Sequence, residues 1–298
     1  MSVVAIPPSF NEDQSLETKS TVKYLQYLHD NGAKRVMTTA GTSQFNLLSL
    51  DEIHELNASV TAFPGDKILG VPPLATKDAI KFIRDGEYYS DNRTHFMLLY
   101  PDRFYSNACI IEYVSEITEA IGKPVYMHTQ KMRHGIKGSW EYNANVINSL
   151  KDKVVGIKEE ISDLKESYDF VNKLHFTFDI IVAGGSMRRF AYLNLAGANS
   201  FLSGLGNFEP KRELDFQNHE RKIYDKYQSL DVESNLFDVF MKYGWHRSLR
   251  YGLKFFGLTC FNNRNPWPKD DDIFVKEIEK VLKECVDVES LDFRSVLN

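Results

Sequence analysis

The sequence predicts a (β/α)8 barrel followed by a helical extension, and two observations carry that prediction. Short apolar runs alternate with amphipathic segments, and eight such strand-then-helix units fit within residues 1–209. Strict alternation favours a parallel sheet, and eight repeats match a closed barrel. After residue 209 the pattern becomes helical only. We therefore predict a barrel over residues 1–209 and, packed on it, a helical extension over residues 210–298.

An open, doubly wound sheet is the rival architecture for alternating strands and helices. Such a sheet normally carries a glycine-rich turn after its first strand, where the phosphates of a dinucleotide bind. In this sequence the segment Pro7-Pro8-Ser9-Phe10 occupies that place. The open sheet is therefore disfavoured.

Turn and cap signals mark where the early elements begin and end. The first strand stops at Pro7, because proline lacks the amide that a sheet needs, and Gly32 is a stop signal for the first helix. Ser49 and Glu52 have the spacing of a capping box at the start of the second helix. Strands are predicted over residues 3–6, 35–39, 68–71, 95–99, 124–128, 154–158, 178–183 and 200–202. Helices are predicted over residues 16–31, 50–63, 77–85, 108–121, 140–150, 163–174 and 187–195, and in the extension over 212–227, 234–243, 248–258 and 272–286.

The charge balance and the cysteines narrow the function classes. The net charge is −5 and no long basic run occurs, which disfavours a nucleic-acid partner, because binding the phosphate backbone requires concentrated lysine and arginine. The three cysteines are widely spaced and form no Cys-x-x-Cys pair, so neither a disulfide framework nor a zinc site is expected. No apolar run approaches the ~18 residues of a membrane span, and the N-terminus lacks the basic region of a signal peptide. We expect a soluble, cytoplasmic protein.

One lysine stands out at the end of a predicted buried strand. The run Val154-Val155-Gly156-Ile157 leads directly into Lys158. Burial disfavours the charged form of an amine, which lowers its pKa towards a neutral nucleophile. Such an amine can condense with a ketone to form a Schiff base, as in class I aldolases. The alternative is a strand-end lysine that reaches solvent or pairs with Glu159 or Glu160.

The carboxyl ends of the other predicted strands also carry polar groups. In a (β/α)8 barrel the chemistry takes place at this end. The groups that follow strands two, four, five, six, seven and eight are Thr42-Ser43-Gln44, Asp102, His128 to Arg133, Lys158, Gly184-Gly185-Ser186 and Ser203-Gly204. These side chains are expected to converge on one site.

Two motifs give the chain a family resemblance. Gly41-Thr42-Ser43 followed by Leu48-Ser49-Leu50-Asp51-Glu52 is similar to the Gly-Thr-Thr-Gly-Glu…Leu-Ser-Xaa-Glu-Glu signature of the dihydrodipicolinate synthase/N-acetylneuraminate lyase family. Gly156-Ile157-Lys158-Glu159 resembles the Gly-Ile-Lys-(Asp/Glu) Schiff-base strand of that family. The likeness continues through Asn31-Gly32-Ala33, Gly122-Lys123-Pro124-Val125, Gly197-Ala198 and Asn207-Phe208-Glu209-Pro210.

The resemblance implies both a fold and an activity. Members of this family are (β/α)8 barrels with a helical C-terminal extension, usually tetramers, that add or remove pyruvate-like units. It implies a 2-oxo acid such as pyruvate and an aldehyde as substrates, and a homotetramer or homodimer. No metal or organic cofactor is implied, because the lysine imine itself withdraws electrons.

The resemblance also assigns roles to individual residues. Lys158 is the implied Schiff-base lysine, and Thr42 and Ser43 are the implied ligands of the substrate carboxylate. Arg133 falls where the synthases carry an arginine for the carboxylate of the second substrate; the alternative is a solvated loop arginine. Gly185 and Leu202 are the further implied pocket residues.

The sequence departs from the family pattern at the proton relay. The tyrosine expected on strand five is His128, and the second tyrosine aligns near Asp102, with Tyr100 and Tyr105 close by. The Gly-Glu that follows the two hydroxyls is Gln44-Phe45. With an unperturbed pKa near ~6.5, histidine suits proton transfer at neutral pH, so we predict that His128 moves protons. The alternatives are a structural histidine or the relic of an inactive site.

Two other function classes stay open. A barrel that binds a small acid without turnover fits the missing tyrosines. A phosphate-binding barrel enzyme fits Gly184-Gly185-Ser186 beside Arg188 and Arg189, since helix N-terminal amides often bind phosphate at this corner. A metal-dependent aldolase is disfavoured, because His128 and His134 are six residues apart with no carboxylate at metal-ligand spacing.

Overall fold

The fold is a closed barrel of eight parallel strands, as the alternating pattern predicts. In the computed structural model, which describes residues 1–99, 106–129, 140–217, 223–259, 264, 266–267 and 269–293, the strands follow one another around the barrel in chain order. They are β1 Ser2–Ala5, β2 Arg35–Met37, β3 Asp66–Val71, β4 Thr94–Leu99, β5 Val125–Thr129, β6 Val154–Glu159, β7 Asp179–Val182 and β8 Ser200–Leu202. Each lies within a few residues of its predicted range.

Helices follow the strands and continue after the last of them. They are α1 Thr18–Asp30, α2 Leu50–Val60, α3 Thr76–Glu87, α4 Asn107–Ile121, α5 Trp140–Ser149, α6 Leu164–Leu174, α7 Ser186–Leu193, α8 Pro210–Gln217, α9 Ile223–Tyr243, α10 Trp245–Phe255 and α11 Asp272–Cys285. Within the described residues none of them is long and apolar enough to cross a bilayer.

The predicted break in the extension between residues 227 and 234 was wrong. Helix α9 runs through that stretch without interruption. No glycine or proline lies within residues 223–243 to end it, and Ser229 and Glu233 are buried. The polar residues of this stretch therefore lie within a helix.

The chain forms two compact units, one of Met1–Lys67 with Ser203–Asn298 and the other of Ile68–Leu202. In the first unit, two buried tyrosines of α1 join the chain that follows β8. The hydroxyl of Tyr24 donates to the carbonyl of Asn207 at 2.9 Å, and that of Tyr27 donates to the carbonyl of Phe208 at 2.5 Å. These bonds satisfy both buried hydroxyls and fix the segment that leads into α8.

The capping box predicted in the same unit is present. The hydroxyl of Ser49 accepts from the Glu52 amide, and the Glu52 carboxylate accepts from the Ser49 amide at 2.8 Å. Both bonds satisfy amides that the first turn of α2 leaves open. The cap fixes where the chain leaves the loop that carries Thr42 and Ser43.

In the second unit, a close approach between β5 and β6 explains Gly156. A Cβ atom at Gly156 would lie 2.2 Å from Cε1 of Tyr126, which is its register partner on β5. The Tyr126 hydroxyl donates to Oδ2 of Asp179 at 2.8 Å, which holds the ring in that place. Only glycine leaves room for the ring, so the two strands pair closely at a position two residues before His128 and Lys158.

Candidate active site

Strand pairing brings together the two residues that the sequence singled out for chemistry. His128 on β5 and Lys158 on β6 are register partners. Both are buried, with exposed fractions of 2% and 3%, and Nζ of Lys158 lies 2.8 Å from Nε2 of His128. Lys158 does not reach solvent, which was the first of its two alternatives.

A third side chain, Glu160, completes the cluster. Its Oε2 lies 2.7 Å from Nε2 of His128 and 3.3 Å from Nζ of Lys158. The three atoms form a triangle in which each is within hydrogen-bond distance of the other two. The pairing alternative for Lys158 is therefore present, with Glu160 rather than Glu159, but the lysine remains buried. We call these three side chains the lysine triangle.

The alternation of β6 explains why Glu160 rather than Glu159 belongs to the lysine triangle. Side chains two residues apart on a strand share a face, so Glu160 lies on the same face as Lys158, and Glu159 points to the opposite side. Glu159 is fully buried there and pairs with Nη2 of Arg189 at 3.0 Å. Its Oε1 also accepts the amide of Ile161 at 2.6 Å. These contacts fix the strand end and, with it, the direction of Glu160.

The surroundings shift the pKa values of the lysine triangle. Burial lowers the pKa of Lys158, although the charges of Glu160 and Glu159 oppose that effect. Burial and then the charge of Lys158 lower the pKa of His128 to about 4. For Glu160 burial acts to raise the pKa, but the hydrogen bond with His128 and the charge of Lys158 outweigh it and lower the pKa to about 2. At neutral pH the site therefore holds a carboxylate, an uncharged imidazole and an amine that gives up its proton more readily than a free lysine.

One nitrogen of the imidazole makes its recorded contacts within the lysine triangle. Nδ1 of His128 is buried and has no hydrogen-bond partner among the described residues. Nε2 faces both Nζ of Lys158 and Oε2 of Glu160. A lone pair on Nε2 can accept a proton from the amine, and a proton on Nε2 turns the 2.7 Å contact with Glu160 into a charge-assisted hydrogen bond.

The loop after β2 belongs to the other compact unit and carries Thr42 and Ser43. Both are buried. The Ser43 hydroxyl donates to the carbonyl of Ile6 at 2.6 Å and accepts the amide of Thr39 at 2.9 Å. That hydroxyl is therefore already committed to the backbone and fixes the shape of the loop.

A buried arginine, which sequence analysis missed, holds the next residue of this loop. Gln44 has a left-handed backbone with φ of 52°, and its Oε1 accepts from Nη1 of Arg250 on α10 at 2.9 Å. The Arg250 guanidinium lies 5.1 Å from the ring centroid of Phe10 and 5.6 Å from that of Trp267. The separation of 206 residues between Gln44 and Arg250 gives no local sequence signal for this contact.

The remaining predicted site residues have different outcomes. Gly185 lies just before α7 with φ of 152°, and Leu202 ends β8 half-buried. Arg189, considered as a phosphate ligand, is instead bound to Glu159, to the Ile161 carbonyl and to Ser167 at 2.8 Å. Arg133, together with Tyr100, Asp102 and Tyr105, lies outside the described residues.

Within the described part of the chain, no group of three or more His, Cys, Asp or Glu residues has the arrangement of a metal site.

Glu160 is the site residue that sequence analysis did not assign. The predicted strand ended at residue 158, whereas β6 runs to Glu159. Extending the two-residue alternation by one more step would have placed Glu160 on the face of Lys158. The signal was present in the strand pattern.

Comparison with known proteins identifies the family of this chain. The model of the Dihydrodipicolinate synthetase family matches residues 1–285 of this chain. The 4-hydroxy-tetrahydrodipicolinate synthase of Karelsulcia muelleri is 23% identical over 287 residues, which cover 92% of this chain and 94% of that protein.

Solved structures of two activities share the fold. The crystal structure of dihydrodipicolinate synthase from Oceanobacillus iheyensis matches with a TM-score of 0.80 at 20% identity, covering 95% of each chain. The crystal structure of N-acetylneuraminate lyase from Fusobacterium nucleatum matches with a TM-score of 0.84 at 14% identity, covering 96% of this chain and 98% of that chain. The resemblance read from the two motifs is confirmed at the level of the family and the fold.

Proposed function

The chain belongs to the dihydrodipicolinate synthetase family, whose members are lyases, and from that membership we propose that it forms a Schiff base between Lys158 and a 2-oxo acid such as pyruvate. The observation that carries the proposal is the buried Nζ of Lys158, 2.8 Å from the ring nitrogen of His128. An amine whose pKa is lowered by burial, with a proton acceptor in contact, has the two properties that imine formation needs.

The imine is the electron sink that allows a carbon–carbon bond to form or break. The protonated nitrogen withdraws electrons from the former carbonyl carbon, so that the adjacent carbon can lose a proton and become a nucleophile. Attack on an aldehyde forms the new bond, and the reverse sequence cleaves it. The proposal requires no metal or organic cofactor, because the lysine nitrogen is the electron sink.

His128 and Thr42 have distinct proposed roles in this reaction. His128 carries protons in place of the family's tyrosine, since Nε2 contacts the reacting amine. Thr42 and Ser43 bind the carboxylate of the 2-oxo acid. Because the Ser43 hydroxyl is engaged by Ile6 and Thr39, we assign the direct hydroxyl contact to Thr42 and loop positioning to Ser43. Arg133 for the second carboxylate, and Gly185 and Leu202 as pocket residues, remain part of the proposal.

The proposal extends to assembly and location. A homotetramer or homodimer is proposed from the family, and two large apolar side chains of the second unit, Phe176 and Leu195, are 93% and 74% exposed, as a subunit contact would require. A cytoplasmic location is proposed because Cys109 and Cys285 are free thiols, which a reducing compartment maintains.

Trapping with borohydride tests the imine directly. We expect that incubation with pyruvate and borohydride adds one reduced adduct to the intact mass, and that peptide mapping places it on Lys158. Lys67 provides an internal control, because it is 1% exposed and its Nζ donates to the Phe63 carbonyl at 3.1 Å. No adduct with pyruvate or with a panel of larger 2-oxo acids would remove the lyase mechanism and leave a non-catalytic acid-binding barrel or a phosphate-binding enzyme.

A phosphate-binding enzyme is the weaker alternative. Arg189 is held by Glu159, so one of the two cations that favoured this reading is committed elsewhere. Thermal protection by inorganic phosphate, with no protection by pyruvate, would restore it.

A further inference from the structure

The lysine triangle has one exposed member. Lys158 and His128 are 3% and 2% exposed, whereas the side chain of Glu160 is 41% exposed. The Glu160 carboxylate therefore touches both buried nitrogens and also reaches solvent. A proton that leaves the buried pair has a direct hydrogen-bonded route to water through this group.

We propose that Glu160 is a catalytic residue for the proton that leaves Nζ of Lys158. Its carboxylate stabilises that proton on Nε2 of His128 and exchanges it with solvent. Lys158 thereby becomes neutral and attacks the substrate carbonyl. The proposal rests on the proposed Schiff-base function and adds a member to its proton carrier. The three distances of the lysine triangle carry it, because Oε2 of Glu160 is the one carboxylate oxygen among the described residues recorded within hydrogen-bond distance of both nitrogens.

The proton count of imine formation shows what such a carrier must do. A lysine ammonium and a ketone give a protonated imine and one water, so no proton is gained or lost overall. Two of the three ammonium protons end on the departing oxygen. One of them must leave the nitrogen before attack, because the ammonium has no lone pair. A base beside Nζ has to hold that proton and return it to the oxygen.

The geometry fits the state in which Nε2 of His128 holds the proton. Without a proton on Nε2, the ring nitrogen and the carboxylate oxygen face each other with lone pairs at 2.7 Å. With the proton there, Nε2–H donates to Glu160, and the amine at 2.8 Å keeps its lone pair for attack. The charge of Lys158 is one cause of the low pKa of His128, and that cause disappears once the lysine is neutral.

The titratable and charged groups around Lys158 lie on, or directly after, three elements. His128 lies on β5, Glu160 follows β6, and Glu159 on β6 contributes a charge that is balanced by Arg189 on α7. Glu160 is the member whose carboxylate contacts Nζ. Removing its charge lowers the pKa of Lys158 further, because an anion beside a cation stabilises the charged form.

The experiment measures the rate of imine formation with pyruvate in Glu160→Gln across pH. Samples are quenched with borohydride at successive times, and the fraction of chains with a reduced adduct is measured by intact mass. We expect the maximal rate to fall by ~100-fold, with the half-saturating pyruvate concentration nearly unchanged, since proton transfer contributes roughly 10² to 10⁴ in rate. The acid limb of the rate profile should move to lower pH, a shift that loss of packing alone does not produce.

Matched variants separate the possible causes. Glu166→Gln makes the same chemical change at an exposed position of α6 and should match the wild type. Glu160→Asp keeps the charge, so we expect a slower rate with the acid limb close to that of the wild type; it also serves as the test if Glu160→Gln fails to fold by circular dichroism.

The outcomes distinguish the two proposals. Absence of the wild-type adduct overturns the Schiff-base function, and the role of Glu160 with it. A wild-type adduct together with an unchanged rate and pH profile in Glu160→Gln overturns the role of Glu160 alone.

Discussion

The buried cationic side chains of Lys158 and Arg250 have a similar degree of burial but different contacts. Lys158 is 3% exposed and contacts an imidazole and a carboxylate, both of which can exchange protons. Arg250 is 1% exposed and contacts the Gln44 amide oxygen and the faces of aromatic rings. Burial lowers the pKa of Arg250 only to about 10, so it stays charged at neutral pH. We infer that burial by itself does not make a reactive site, and that a buried amine also needs a proton acceptor in contact.

The strongest test of this comparison removes the reactive cation. Lys158→Met retains a flexible apolar stem without the amine, so we expect complete loss of the pyruvate adduct. Stability should be equal or higher, because the variant no longer buries an amine. Intact mass after borohydride and thermal unfolding measure the two effects. A persistent adduct would move the nucleophile to another lysine.

Removing the proton acceptor should have the next largest effect. His128→Phe preserves a buried ring of similar size but cannot hold a proton, so we expect the turnover that the wild type shows to be abolished, with imine formation slower by at least ~10²-fold. The fold should be spared, since the Nδ1 atom that is lost makes no hydrogen bond to a described residue. Quenched trapping and circular dichroism report the two properties. Full activity in this variant would reduce His128 to a structural residue.

The smallest effect on adduct formation is expected when the guanidinium at position 250 is replaced with an amine. Arg250→Lys introduces an amine at a buried site whose contacts include the Gln44 amide oxygen and two aromatic rings. We expect the adduct to stay at one per chain. The free energy of unfolding should fall by about 1–3 kcal/mol, because an ammonium lacks the planar stacking and the forked donors of a guanidinium. Urea unfolding and intact mass measure these, and a second adduct would show that burial alone is sufficient.

The sequence predicted the fold from a pattern that repeats along the whole chain. Each strand reads as a short, mainly apolar run, and eight such runs predict a closed barrel whatever their exact ends. The meeting of His128 and Lys158 was predictable as well, since both were placed at carboxyl ends of adjacent strands. The boundary of the barrel at residue 209, and the roles of Thr42, Gly185 and Leu202, stay predictions.

Glu160 was missed although the strand alternation carried its signal, whereas the missed arginine contacts depend on single residues rather than on periodicity. Ending β6 one residue early hid Glu160 from the site. Arg189 was considered as a phosphate ligand, whereas it binds Glu159, which is 30 residues away. Arg250 is similarly remote from Gln44 in the chain. Such long-range polar pairs leave no mark in a local pattern, because either partner alone looks like an ordinary surface residue.

The contact between Tyr126 and Gly156 has a consequence for how this sequence can drift. With tyrosine at position 126, any side chain at 156 would overlap the ring. A smaller residue at 126 would not release position 156, because a Cβ there would also lie 2.8 Å from the backbone carbonyl oxygen of Asp179. We therefore expect glycine at 156 to be kept in an alignment of this lineage even where the residue at 126 varies.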